Sequence, residues 1–527
     1  MILSAIFIDT VSIQEYIFSS NKLKENIGAS YIVDKIYEDV LKKALKVTFS
    51  RDIDINEWKN NPKQVKINQG NDEVEIGYIG GGKALIFFKF KDKTKEFIKN
   101  YTKFLLVKAP GLKTAFGIIH DFDLDNFKNS MYRLHKSLRE NKNKYFPNVT
   151  LPKYGFTLDC PRTNESAENF KDAERAESFN EEDTIIKYIS SVAWTKLNFS
   201  DKAKEEMVDK IKDILKDKYT LTNNIEKLGQ TEGRDYIAVV HIDGNKMGER
   251  FSKCESLIEY RNLSIGVKDA TEGAFKKMIE ILIDKIKNSK IFDPKNREII
   301  MRKIDDKTIL PVRPIVLGGD DITFISDGRL GVWLAEIYIK EFAEHNINNE
   351  TLSACGGVSI VKTKYPFYRS YILAEDLTNK AKEMSREREG SYIDFYISSS
   401  GWGGSLDDIL NKHLSTVNGN LHFGPYIVIK NNEKNSLENL KNIIKNFKYI
   451  PKNKVMKLRE ILFEDKEIAK IFVKELEANE IRLPELKNRY YHVNIWIDKK
   501  TPYYDAIELI DFYPEGLLWK LILWKLI

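Results

Sequence analysis

Three landmarks occur twice along this chain, in the same order and at nearly the same spacing, and this recurrence limits the fold more than any other feature of the sequence. The first is an apolar strand that ends in aspartate and runs into a polar helix start: AIFIDTVSIQEYIF carries Asp9 and YIAVVHIDGNKMGERF carries Asp243. The second is an apolar hairpin with glycines at its tip, IGYIGGGKALIFF around Gly80 to Lys83 and PIVLGGDDITFIS around Gly318 to Asp321. The third is a glycine-containing strand before a long helix, TAFGIIHDF at Gly117 and SACGGVSIV at Gly357. Asp9 and Gly82 stand 73 positions apart, against 77 for Asp243 and Asp320; Gly82 and Gly117 stand 35 apart, against 37 for Asp320 and Gly357. Each copy therefore reads as strand, helix, hairpin, helix, strand, helix, the split βαβ pattern of a helix-backed antiparallel sheet. In that pattern the first strand pairs with the hairpin, which brings Asp243 beside Asp320 and Asp321. The second helix bearing on the site follows Ile360, with Ala374, Leu377 and Ala381 on one face.

The two copies leave room for additions. A chain of 527 residues and 61.2 kDa exceeds one core and predicts several domains. The expected class is α+β, divided into a first βαβ unit over 1–150, a connector over 151–230, a second unit over 231–404 and a mostly helical domain over 405–527. The connector combines turn-rich LDCPRTNES with charged helical DKAKEEMVDKIKDILKD, and GWGGS at Gly401 to Ser405 reads as a flexible boundary. Hydrophobic residues at 42% and charged residues at 31% fit a soluble globular protein, and a net charge of +6 permits nucleic-acid binding without requiring it. Cys160, Cys254 and Cys355 lie far apart without a CxxC pair, so neither a disulfide framework nor zinc is expected, and a cytoplasmic setting fits. The start MILSAIFIDT has no signal-peptide pattern, and the tail GLLWKLILWKLI, broken by Lys520 and Lys525, is too short to span a bilayer and reads as a docked terminal helix.

The chemistry concentrates at Gly318-Gly319-Asp320-Asp321. Nucleotidyl transfer places charge on oxygens around phosphorus, and the protein's part is largely to position groups and to neutralise that charge with a divalent ion. Magnesium takes one or two protein carboxylates and completes its octahedron with water and phosphate oxygens. Asp243, Asp320 and Asp321 are the expected ligands of two Mg2+ or Mn2+ ions and the expected catalytic residues. Gly318 and Gly319 make room for a triphosphate and allow turn dihedrals, while Gly244 and Asn245 follow directly on Asp243 and join the expected nucleotide contacts. Lys382 and Arg386, spaced i, i+4 on the following helix, are placed to reach phosphate oxygens. Apolar runs on both sides of the tip would set two adjacent carboxylates at the rim of a core, where they are costly without a cation. In the first copy Gly82 and Lys83 stand where those acids would be, so that copy cannot hold two metals and reads as a pseudo-site whose lysine meets a nucleotide phosphate. His120-Asp121 resembles the dipeptide of metal phosphohydrolases but falls at a strand end in a chain of only seven histidines, so it is read as structural.

IQEYIFSSNKLKENIGAS, HIDGNKMGERF, LGGDDITFI and FGPYIVI together resemble the large subunit of type III CRISPR effector complexes of the Cmr and Csm kind, over most of the chain. The resemblance implies two ferredoxin-like palm domains, synthesis of cyclic oligoadenylate from ATP, activation by guide and target RNA, and other effector subunits as partners. It also implies an HD-less form, since the chain starts at the first palm, and a connector that lacks the family's paired cysteines. Asn245 stands where an acid is frequent in that family. Two other readings remain at this stage: a non-catalytic subunit binding RNA and proteins, and a stand-alone cyclase making a cyclic dinucleotide.

Overall fold

The computed structural model of the protein describes residues 2–69, 72–144, 157–170, 188–228, 235–292, 299–398, 404–429, 433–484, 495–496 and 498–518. The expected boundaries near 150 and 230, most of the GWGGS segment and the tail from 519 onward lie outside them. The chain packs as two compact units, one of Met1–Lys210, Lys246–Asp269 and Gly318–Asp320, the other of Ile211–Asn245, Ala270–Leu317 and Asp321–Ile527.

The first unit holds a four-stranded antiparallel sheet built from β1 (Ile2–Val11), β2 (Val74–Gly80), β3 (Lys83–Phe88) and β4 (Lys113–Asp123), in the order β2-β3-β1-β4. Between these strands run α1 (Ile13–Phe18), α2 (Leu23–Phe49) and α3 (Lys91–Lys108), and α4 (Phe127–Lys142) follows β4. The first strand is central and the hairpin pairs along one of its edges, as the split pattern requires. Strand β1 is buried over nearly its whole length, which is why its sequence is a continuous apolar run instead of an alternating one. Helix α5 (Ser191–Lys210) lies against α2 so tightly that a Cβ on Gly28 would stand 1.7 Å from the Lys196 carbonyl oxygen. Two buried polar links lie beside that contact: Arg162, ahead of α5, pairs with Glu25 on α2, and the Lys196 ammonium donates to the Tyr16 carbonyl of α1 at 2.6 Å.

The second unit repeats the plan and extends it. Its sheet runs β6-β7-β5-β8-β9-β10, with β5 (Tyr236–Gly244), β6 (Val312–Gly318), β7 (Asp321–Asp327), β8 (Ala354–Lys362), β9 (Tyr392–Ile397) and β10 (Tyr426–Ile427). The first four strands reproduce the order of the first sheet, and β9 adds in parallel beside β8. After β5 the chain runs through α6 (Met247–Lys253), which belongs to the first unit, and α7 (Leu257–Asn288), which returns to the second unit from Ala270. Helices α8 (Gly331–Ala343) and α9 (Phe367–Glu387) both pack on β5 and β8. Ala374, Leu377 and Ala381 are fully buried on the sheet side of α9, the face expected from the sequence.

The duplication extends to individual atoms. In each copy a glycine in the strand before the last helix lets that helix approach: a Cβ on Gly117 would meet the Leu134 carbonyl oxygen at 2.6 Å, and one on Gly357 would meet the Ala374 carbonyl oxygen at 2.0 Å. The helix residue stands 17 positions after the glycine in both. Ser12 and Lys246, each three residues past the strand-end aspartate, both adopt a left-handed conformation at the turn into the next helix.

Beyond β9 the chain is mainly helical, with α10 (Leu437–Phe447), α11 (Lys452–Ile461), α12 (Lys466–Ala478), α13 (Pro502–Leu509) and α14 (Glu515–Leu518). Two buried polar clusters fasten these helices to the second sheet. Glu336 on α8 accepts from Lys441 on α10 at 2.7 Å and from the Tyr513 hydroxyl at 2.9 Å. His422 lies between Asp394 on β9 and Asp505 on α13, at 2.9 and 3.1 Å, and Asp505 also accepts from the Tyr426 hydroxyl at 2.6 Å. Burial alone would lower the His422 pKa, but the Asp394 and Asp505 carboxylates hold it up at about 10, so the imidazolium is the resident form at neutral pH.

Two outcomes follow from this packing. Gly357→Ala forces a methyl into the α9 backbone and is expected to cost about 3 kcal/mol or to prevent folding of the second sheet, read by thermal melting. Since the folded His422 pKa lies above its unfolded value, its stabilisation is complete below about pH 6.5 and is lost as pH rises through about 10. His422→Gln is expected to cost about 3–5 kcal/mol near neutrality by leaving buried carboxylates unpaired, and the gap in melting temperature from the native protein is expected to close toward pH 10.

Candidate metal and nucleotide site

The β6–β7 hairpin turns through Gly319, whose φ of +59° is open to glycine at little cost. Gly81 has φ +57° at the equivalent place in the first hairpin. Buried Ile315 and Ile322 on either arm hold the tip, and Asp320 and Asp321 leave it half-buried.

Asp321 opens β7 as the direct cross-strand partner of Asp243 near the end of β5. Directly paired residues on antiparallel strands place their side chains on one face about 5 Å apart. Two carboxylates so placed repel one another unless a cation lies between or beside them. The structure supplies one in Lys382 of α9, which forms an ion pair with Asp243. The ion pair is mostly shielded from water, the Lys382 and Asp243 side chains being 19% and 32% exposed. His241, two residues before Asp243, is not a second cation: burial pushes its pKa down to about 4, and Nδ1 lies 2.9 Å from the Thr323 hydroxyl.

The first copy holds the same strand-end aspartate differently. Asp9 is the cross-strand partner of Lys83, so a lysine stands in the position of Asp321. Lys142 at the end of α4 forms an ion pair with Asp9, as Lys382 does with Asp243. Lys142 and Lys382 each stand 25 positions after the strand glycine, Gly117 and Gly357. The sequence reading missed Lys142, and it gave Lys382 a phosphate without seeing its carboxylate; the shared offset was the signal available. The Gly82 carbonyl accepts from the Tyr37 hydroxyl at 2.7 Å and from the Thr10 amide at 2.9 Å, while Lys83 is exposed.

The other expected contacts are placed as follows. Gly318 and Gly319 are half-buried at the tip, and Gly244 is buried as the cross-strand partner of Ala354. Arg386 is exposed one turn beyond Lys382. Asn245 differs from the expectation of a nucleotide contact: it is buried, and its side-chain amide donates to the Ser353 hydroxyl at 3.1 Å, the Ser385 hydroxyl at 3.2 Å and the Gly390 carbonyl at 3.3 Å. Its amide thus ties the end of β5 to α9 and to the loops flanking β8 and β9. His120 and Asp121 are occupied by Ser4 at 2.8 Å and by Arg133, in keeping with a structural role.

Among the described residues no group of three or more His, Cys, Asp or Glu side chains is arranged to hold a metal ion. Asp243 and Asp321, paired across the strands, supply two hard oxygen donors instead. That set fits magnesium or manganese, which take one or two protein carboxylates and the rest from water and phosphate. Cys160, Cys254 and Cys355 are each buried and free.

Residues 236–390 match the sequence profile of the second palm domain of Cas10/Cmr2, the span that contains Asp243, the hairpin and Lys382. That span carries a Cas10/Cmr2 second palm domain. Its fold resembles solved Csm1–Csm4 cassettes over nearly its whole length. The cassette in complex with cA4 is 14% identical, covers 97% of this chain and 70% of the other, and gives a TM-score of 0.55. The cassette in complex with AMPPNP is 13% identical at a TM-score of 0.53, with 97% and 69% covered. A Csm1–Csm4 subcomplex of the type III-A CRISPR-Csm interference complex is 14% identical at 0.50, with 97% and 70% covered. No curated protein sequence matches the chain. Among the described residues no helix is long and apolar enough to cross a membrane.

In this Cas10/Cmr2 palm, a divalent ion bound by Asp243 would have to displace Lys382. Lys382→Met is therefore expected to melt lower in EDTA, by about 1 kcal/mol, and to gain more from added Mn2+ than the native protein does. Lys142→Met is expected to show no such gain, because Lys83 faces Asp9. An equal Mn2+ shift in the native protein and Lys382→Met would mean that the lysine does not occupy the ion's place.

Proposed function

We propose that this chain is a metal-dependent nucleotidyltransferase that converts ATP to cyclic oligoadenylate, with Asp243, Asp320 and Asp321 as its catalytic carboxylates. The observation that carries the reading is the pairing of Asp243 with Asp321 across the strands of a glycine-tipped hairpin, a like-charge arrangement that costs stability unless a cation is meant to sit there. The solved cassettes of similar fold held cA4 and AMPPNP, which supports adenine nucleotides as the substrate class.

In the reaction the 3′ hydroxyl of one nucleotide attacks the α-phosphorus of another, a phosphodiester forms, and pyrophosphate leaves with the electrons of the broken P–O bond. Two Mg2+ or Mn2+ ions bound by Asp243, Asp320 and Asp321 supply the charge neutralisation this needs. The chain's own residues then have distinct tasks. Gly318 and Gly319 keep the tip free of side chains where the triphosphate lies. Lys382, released from Asp243, turns to the phosphates, and Arg386 one turn further on meets them from solvent. Gly244 leads the strand into the turn, and Asn245 holds that turn in place. Gly82 and Lys83 of the first copy contribute a metal-free contact to a nucleotide phosphate.

In this reading residues 1–150 and 231–404 are ferredoxin-like palm domains, 151–230 a connector without zinc, and 405–527 a helical domain. Guide and target RNA and other effector subunits are the proposed partners, and the setting is cytoplasmic. The test is incubation of the purified chain with ATP and Mg2+ or Mn2+, alone and with guide and target RNA, followed by mass spectrometry of the products. Cyclic oligoadenylate is expected, with a loss of about 1000-fold or more in Asp320→Ala/Asp321→Ala. A folded chain that yields no linear or cyclic oligonucleotide under any of these conditions would overturn the proposal.

A further inference from the structure

A cavity of about 920 Å3 in the second unit lies away from the carboxylates, at the opposite end of the same two strands. Tyr236, the first residue of β5, is part of its wall, and Asp243 lies seven residues further along that strand, roughly 23 Å away at about 3.3 Å per residue. Arg329, two residues past the end of β7, lines it as well, while Asp321 opens β7 at the other end. The remaining wall comes from Ile397 at the end of β9, the end of α10, one side of α11, and the end of α13 with the residues after it.

The lining has three chemical parts. Its apolar part includes Phe512, whose ring meets Tyr236 edge-on at 4.9 Å between centroids. Tyr449 at its mouth is 74% exposed, an aromatic face that the fold itself does not use. Its charged part holds Arg329, ion-paired to Asp327, and Arg459, ion-paired to Glu508, with Lys448 and Lys452 outnumbering the remaining carboxylate, Asp511. Arg329 is held rigid there by a paired contact of Nε and Nη2 with Asp327, at 2.9 and 2.7 Å.

A concave site of this size suits a small organic ligand. An excess of cations over carboxylates selects an anion, and an open aromatic ring beside them selects one that carries a flat base; backbone cations with stacking aromatics are the means by which nucleic-acid strands are held without sequence readout. We infer that this cavity is a second nucleotide site, taking a nucleotide or short oligonucleotide with its phosphates on Lys448 and Lys452 and its base on Tyr449. It does no chemistry, since the carboxylates lie at the far end of the sheet. It bears on the reaction only through β5 and β7, the strands that carry Asp243 and Asp321. The inference stands on the cavity alone and does not require the proposed cyclase activity.

The test uses the full chain with 8-azido-ATP in EDTA, irradiated and digested, with labelled peptides read by mass spectrometry. Labelling is expected within 447–459 or 507–514, retained in Asp243→Asn, reduced about tenfold in Lys448→Glu/Lys452→Glu and by a similar factor in Tyr449→Ala. These three lining side chains are at the surface, and thermal melting checks that each variant is folded. No label in those segments, or label there that the lysine and tyrosine substitutions leave unchanged, would overturn the inference, and would leave the cavity to an apolar protein segment instead. Failure here leaves the oligoadenylate assay untouched, so the two proposals fall separately.

Discussion

The register of one cross-strand pair organises this protein. Where β5 meets β7, Asp243 faces Asp321, and the repulsion of two carboxylates held on one face of a sheet has to be met by a cation. Where β1 meets β3, the same register places Asp9 opposite Lys83, and the repulsion is gone. The first four strands of the second sheet follow the order of the first, and the two share the strand-end aspartate and the helix lysine on it, so the tips differ by a single exchange of charge opposite that aspartate.

That register would be of no use without the close approach of the last helix. Lys382 and Lys142 reach their aspartates because α9 and α4 lie almost in contact with the strand backbone at Gly357 and Gly117. A side chain at either glycine would lift the helix and carry the lysine with it. The fold's tightest steric constraint and its electrostatics at the carboxylates are thus the same feature seen at two points along one helix. Asn245 acts alongside them, since its amide joins the strand end to Ser385 on that helix and to Ser353 and Gly390 in the neighbouring loops.

The helices after β9 are attached to the second sheet by charge as well as by apolar packing. Glu336 with Lys441 and Tyr513, and His422 with Asp394 and Asp505, are buried clusters that join residues 28 to 177 positions apart. Burial desolvates every member, and each is stable only because its partners are in place. Such clusters define how elements dock more sharply than apolar contact does, because a shift that leaves one charge unpaired is penalised.

The sequence by itself determined the duplication, the order of strands in each copy, the buried face of α9 and the difference between the tips, because each depends on local chain chemistry: apolar runs, glycines at turns and helical spacing. It also held the 25-residue offset from Gly117 to Lys142 and from Gly357 to Lys382, a signal that carries no meaning until strand and helix are known to pack together. Tertiary structure alone decided which charges meet. Lys382 could face solvent, phosphate or carboxylate at equal cost in local conformation, and only the approach of α9 to β5 sets it on Asp243. Asn245, two residues after Asp243, likewise has a side chain whose place the sequence leaves open, and only the packing around the strand end gives its amide three buried acceptors.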